Sequence, residues 1–214
     1  QNFDQARLIG SLCLNSDQSS LAITDKGRTA AEMMVFARYV MFSEVYWHHT
    51  VRSATAMLQR AFYELLDELN LQTLFRQTEA EFIQQLLVAS SGSHVEDLMQ
   101  GLFGPRRVLY KRLAQYSLYQ QPNLFNRLAR RPYHWLAQLT HHLADAISSA
   151  TGISVKPAEI LIDAPPVKRE VEIKIDVFFP KEDCYRPLAD VSPVVRTLAK
   201  RQFDDIVKQV RIFV

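Results

Sequence analysis

The chain has 214 residues, of which 48% are hydrophobic and 22% charged, with a formal net charge of +2. That balance marks a soluble globular protein, long enough for one large domain or for a main domain with a small appendage. Nothing resembles a signal peptide, no apolar run is long enough to span a bilayer, and Cys13 and Cys184 stand apart without metal-type spacing. A membrane-spanning chain and a thiolate metal site are therefore argued against, and a reducing, cytoplasmic setting is expected. The first residue is Gln rather than Met, so the chain is expected to be a trimmed or excised piece of something longer.

In chain order, residues 3–15 form a short amphipathic segment that runs into the polar loop "NSDQSS". From Thr29 to Asn70 the apolar spacing is helical and contains neither Gly nor Pro, which is long for one globular helix and implies a break that no residue marks. "EAEFIQQLLVAS" reads as a further helix stopped by "SSGS". "HVEDLMQGLF" and "RRVLYKRLAQYSLY" read as two more, separated by Gly104 and Pro105. "PYHWLAQLTHHLADAISSATG" closes the helical part, with Gly152 placed as its C-terminal cap.

After Gly152 the period changes. "EILID" reads as a short strand turned by "APP", and in "VEIKIDV" the alternation of Val171, Ile173, Ile175 and Val177 with charged residues gives a strand with one buried face. "SPVVRTLAKRQFDDIVK" opens as a helix, with Ser192 as N-cap and Pro193 in the first turn, and "QVRIFV" ends the chain as a strand. The expected architecture is mainly α-helical over residues 1–152, with a small α+β unit over residues 153–214.

The small net charge hides an asymmetry. Residues 64–100 carry seven acids against the single base Arg76, whereas residues 104–134 carry Arg106, Arg107, Lys111, Arg112, Arg127, Arg130 and Arg131 and no acid. Interleaved Tyr110, Tyr116, Tyr119, Phe125 and Tyr133 make the second block a candidate surface for single-stranded nucleic acid. A solvated helix face pairing with the acidic stretch is the plainer alternative.

The stretch "ARYVMFSEVYWHHTVR" carries the sharpest candidate site. At 100° per residue, Arg38, Phe42, Val45, Tyr46 and His49 fall within about a third of a helix circumference. Arg38 and Tyr46 stand roughly 12 Å apart along such an axis, about the reach of a nucleoside triphosphate. A guanidinium binds phosphate oxygens through its fork of donors while a phenol contacts sugar or base; a structural ion network is the alternative. His141 and Asp145, four apart, form a possible metal edge, but Trp135, Leu136, Leu139, Leu143, Ala146 and Ile147 are expected to form the buried stripe and to leave His141 on the surface. The chain holds no GxSxG, P-loop, GxGxxG or His-Asp dipeptide.

"NFDQARLI" and "DKGRTAAEMMVFARYVMFSEVYWHHTVRSATAML" resemble the HD-domain phosphohydrolases of the deoxynucleoside triphosphate triphosphohydrolase type. "EILIDAPPVKREVEIKI", "LADVSPVVRTL" and "VRIFV" are similar to the tail of bacterial members, so the resemblance runs nearly end to end. In that family a His, a His-Asp pair and a later Asp build the metal site upstream of the "NFD" segment, and this chain has none of those positions. The resemblance therefore implies a C-terminal fragment of a metal-dependent enzyme that cleaves dNTPs to deoxynucleoside and triphosphate. The divalent metal would be held in the parent protein and none in this fragment.

Carried over, Arg38 would bind substrate phosphates and Tyr46 would line the sugar–base side; His49, by its place on the same helical face, is a candidate to donate a hydrogen bond or proton. Positions matching Arg7, Lys26, His48 and His49 lie at an intersubunit regulatory nucleotide site in nucleotide-activated members, implying a homo-oligomer. "TDKGR" lacks the basic residue those members carry before the Asp, and His49 stands in place of a lysine. A non-catalytic oligomerisation or nucleotide-sensing module is the rival reading.

Overall fold

The computed structural model describes residues 3–166, 174–198 and 207–214. In chain order the elements are α1 Gln5–Gly10, β1 Leu12–Leu14, β2 Leu21–Thr24, α2 Arg28–Met41, α3 His49–Glu64, α4 Leu71–Leu74, α5 Glu79–Ser90 and α6 Glu96–Phe103. They continue with β3 Arg112–Tyr116, α7 Pro122–Leu128, α8 Tyr133–Thr151, β4 Leu161–Asp163, β5 Asp176–Phe179, β6 Cys184–Pro187, α9 Leu188–Val191, α10 Pro193–Thr197 and β7 Val210–Phe213. Helices take up 56% of the described residues and strands 14%, so the fold is mainly α with a small β component, as expected. No described helix is long and apolar enough to cross a membrane.

Two compact units share the chain, but they follow a different partition from a cut at residue 152. The first joins Gln1–Trp47 to Lys168–Lys208, and the second joins His48–Val167 to Gln209–Val214. Strand pairing is the reason. In the first unit β1 and β2 pair antiparallel, β2 pairs parallel with β5 in the C-terminal stretch, and β5 pairs antiparallel with β6. Hydrophobic period reports the exposed and buried faces of a segment but not its partner along the chain.

The first unit buries Ile23, Ala31, Val35, Val177, Leu188 and Val195 in one core that seats α2. Gly27 lets α2 start close to the preceding turn, because a Cβ there would stand 1.9 Å from Ser11 Oγ. As expected, Ser192 caps α10: its Oγ accepts from Val195 N at 3.2 Å, and Pro193 follows in the first turn. The expected strand residues 171–173, and the helix continuing over residues 199–206, lie outside the described residues.

The second unit is built on α3. Ala56, Met57, Ala61 and Leu65 pack with Leu86 of α5, Leu98 and Met99 of α6, and Phe213 of β7. β7 is the centre strand of an antiparallel sheet in the order β3-β7-β4. The buried Arg60 guanidinium is held by Glu64 at 2.9 Å and Thr140 at 3.0 Å, which removes the cost of an unpaired charge. Gly152 ends α8 with φ 72°, the left-handed cap expected of it.

Three expectations are corrected here. "RRVLYKRLAQYSLY" is not a helix: residues 112–116 are strand β3, drawn into a ladder with β7. β1 and β2 arise where only a mainly helical region was expected. On α8 the buried face is Leu136, Ala137, Thr140 and Ala144, while Trp135 and Ile147 are 36% and 38% exposed, so the stripe is rotated from the one expected.

Candidate functional site

The helix anticipated across residues 37–52 is interrupted. α2 ends at Met41, and Phe42–Tyr46 form one wide π turn closed by Trp47 N–H donating to the Phe42 carbonyl at 2.9 Å. Such turns widen the helix locally and re-aim the side chains on it. Trp47 is buried, with the Lys208 ammonium 6.0 Å from its ring centre. His48 is extended and caps α3, its Nδ1 accepting from Thr50 N at 3.4 Å. The N-terminal segment of the first unit ends at Trp47, and the second unit begins at His48.

This break divides the residues that an uninterrupted helix would have placed on one face. Arg38 and Tyr46 both line an open groove of about 1020 Å³ in the first unit, together with Phe3, Met33, Phe36 and Met41. His49 is not among its lining residues; it belongs to the second unit. The groove is apolar apart from the Arg38 guanidinium and the Tyr46 hydroxyl. Tyr46 is 51% exposed, and its ring meets Phe42 edge-on at 5.3 Å between centroids. Arg38 is exposed, and no ion pair to an acid among the described residues occupies it. Met33, Phe36, Val40 and Met41 lie between 39% and 45% exposed along the same helix.

The remaining candidates separate in the same way. Arg7 and Lys26 come together in the first unit, where Arg7 Nε donates to the Lys26 carbonyl at 2.9 Å. His48 and His49 are adjacent in the second, with ring centroids 4.3 Å apart. Burial holds the His49 imidazole below its ordinary pKa, with His48, Arg112 and Arg211 adding to the effect.

The basic block is likewise split. Arg107, Lys111 and Arg112 line a cleft on the second unit, whereas Arg106 is exposed in the loop before them. Arg127 closes α7, and the exposed Arg130 follows it with φ 61°. Arg131 lies 5.3 Å over the Trp135 ring and donates to the Arg127 carbonyl at 2.9 Å. His141 and Asp145 are exposed on α8. Among the described residues no group of three or more His, Cys, Asp or Glu side chains could hold a metal ion.

Sequence reasoning missed the cleft. It joins the start of α3 to residues more than fifty positions later, and the linear signal for it was the acid-free basic stretch over residues 104–134.

Similarity to known proteins agrees with this architecture. An uncharacterized protein of Methanocaldococcus jannaschii is 34% identical over 101 residues, which cover 46% of this chain and 21% of that protein. A hypothetical protein from Aquifex aeolicus superposes with a TM-score of 0.60 at 17% identity, over 99% of this chain and 48% of the other. A phosphohydrolase from Bacteroides thetaiotaomicron superposes with a TM-score of 0.55 at 20% identity, over 99% of this chain and 55% of the other. At these identities the two structural likenesses are likenesses of fold. The chain spans about half the length of those solved structures and about a fifth of the archaeal protein. Residues 3–210 match the HD associated region family, so the chain belongs to that family.

Proposed function

We propose that this HD associated region supplies the phosphate- and nucleoside-binding wall of an HD-type phosphohydrolase acting on nucleotides of the dNTP class, with deoxynucleoside and triphosphate as products. The carrying observation is that Arg38 and Tyr46 line one open groove whose other walls are apolar. A guanidinium in such a setting offers a fork of donors to phosphate oxygens, and low-dielectric walls strengthen that pairing relative to water. The Tyr46 ring, braced edge-on by Phe42, offers a face to sugar or base and a hydroxyl to a polar edge. One cation set in an apolar trough suits a ligand with one anionic end and one flat end.

The described residues do not fit the divalent metal that the family resemblance implies, since they offer no donor set for it. This chain's own part is therefore binding and orientation. Its coverage of about half of two solved proteins, one of them a phosphohydrolase, supports a division of labour with a separate metal-bearing portion. A cytoplasmic setting fits the free thiols Cys13 and Cys184.

The test is nucleotide hydrolysis by a protein that joins this region to its HD domain. Arg38→Ala is expected to lower kcat/KM for a dNTP by about 100-fold, the loss typical of removing one donor to developing charge. The 214-residue chain alone is expected to release no triphosphate. Unchanged turnover in Arg38→Ala, or hydrolysis by the chain alone, would refute the proposal.

A further inference from the structure

We infer that the turn joining α7 to α8 is a docking site for an acidic polypeptide segment, read by Arg127, Arg130 and Arg131. This does not depend on the reading of the Arg38 groove. α7 ends at Leu128 and α8 begins at Tyr133, so residues 129–132 join them. Arg130 takes a left-handed φ of 61°, a conformation that is costly for a residue with a Cβ. Its N–H is fixed by donating to the Pro165 carbonyl at 2.9 Å. Arg131 is fixed as well: its Nε donates to the Arg127 carbonyl at 2.9 Å, and its guanidinium carbon lies 5.3 Å over the Trp135 ring. With Nε engaged, the two Nη groups remain to meet the two oxygens of one carboxylate. A surface guanidinium ordinarily gives up side-chain freedom when it pairs with an acid, and this one is already held.

Nothing among the described residues cancels the charge at this turn. Arg127, Arg130 and Arg131 are exposed, and none of them forms an ion pair with a described acid. No acid stands between Asp97 and Asp145 in the sequence, and the first turn of α8 holds none. Glu64, the acid that reaches Tyr133 in that turn, is taken by Arg60 at 2.9 Å and by His94 at 3.3 Å. Three guanidiniums borne by residues 127–131 therefore stay in solvent uncompensated, which suits a partner that brings several carboxylates.

The aromatic side chains favour a polypeptide over single-stranded nucleic acid, which needs open rings on which successive bases stack. Phe125 is buried, and Tyr116 packs half-buried against the same core. Tyr133 meets Tyr63 edge-on with centroids 5.2 Å apart, and the Trp135 ring already carries the Arg131 guanidinium. Of the aromatics interleaved in the basic block, Tyr119 is the exposed one, at 63%. The guanidiniums stay available while the stacking platforms do not, so the contacts on offer are those of carboxylate pairing.

The test is fluorescence polarisation of a labelled hexaglutamate peptide titrated with the 214-residue chain at low salt. Wild type is expected to bind it, more weakly as salt is added, and Arg127→Gln/Arg131→Gln to lose about tenfold or more in affinity. Arg28→Gln/Arg106→Gln removes as much charge from exposed positions elsewhere and is expected to keep the binding. Arg130→Gly, which suits the left-handed turn, should melt no lower than wild type yet bind several-fold more weakly. The indole N–H signal of Trp135 in NMR, told from that of the buried Trp47 by Trp135→Phe, should shift as peptide is added. Undiminished binding in Arg127→Gln/Arg131→Gln, or an equal loss in Arg28→Gln/Arg106→Gln, would overturn the inference. A Trp135 signal that saturating peptide leaves in place would overturn it even if the arginine variants failed to fold. Tighter binding of an oligothymidylate or of phosphatidylserine vesicles than of the peptide would overturn the choice of partner. Self-association of the chain that is lost in Arg127→Gln/Arg131→Gln would do the same, by giving the face to a second copy.

Discussion

The groove along α2 and the cleft at the start of α3 draw on stretches of chain only a few residues apart, yet their chemistry is opposite. The groove sets one guanidinium and one phenol among Met, Phe and Val side chains, while the cleft gathers Arg107, Lys111, Arg112 and an imidazole beside Leu109 and Tyr110. The first combination offers one charged and one flat contact; the second offers mainly positive charge. Trp47 and His48 form the seam that lets one continuous stretch of sequence feed both.

The contrast can be broken most severely from beneath the cleft. Asp163 has a side chain only 1% exposed and neutralises Arg52, so Asp163→Ala is expected to cost about 3–5 kcal/mol of stability, read from the denaturant midpoint. Next, Arg38→Ala should weaken dNTP binding about tenfold or more. Tyr46→Ala should weaken the same nucleotide by about fivefold, the lower end of the roughly 1–3 kcal/mol typical of base–aromatic stacking. Tyr46→Phe, which keeps the ring, should restore most of that loss.

The smallest effect concerns pH. The His49 pKa is depressed in the folded chain, so its neutral form favours folding above the ordinary value of 6.5, and that contribution is lost as pH falls below it. His49→Gln should flatten this part of the acid side of the stability profile, as measured by thermal melts from pH 7 down to about 5.

Much of the fold was legible where local signals are strong. The segment 79–90 has helical period and a capping box at Thr78, and α8 runs from Pro132 to a left-handed Gly152. β4 and β7 were readable as short apolar runs after the period changed. The break at Trp47–His48 was not, because the stretch from Thr29 to Asn70 contains no Gly or Pro; the turn there is closed by a π-type backbone bond and a buried tryptophan. β3 misled for another reason. Val108, Leu109, Tyr110 and Leu113 suit a helix as well as a strand, and pairing with β7 decides between them. Arg38 and Tyr46 could be paired from sequence because eight residues make about 2.2 turns of a helix, which leaves them about 80° apart, and the wide turn between them still leaves both on the groove. His49 was lost to that face by the same turn and the break after it.

The most direct measurement compares dATP with deoxyadenosine on wild type and Arg38→Ala. If the guanidinium grips the phosphate chain while Tyr46 holds the nucleoside, the substitution weakens dATP about tenfold or more and leaves deoxyadenosine unchanged. An equal loss for both ligands, or none for either, would contradict the claim that this groove reads a nucleotide from its two ends.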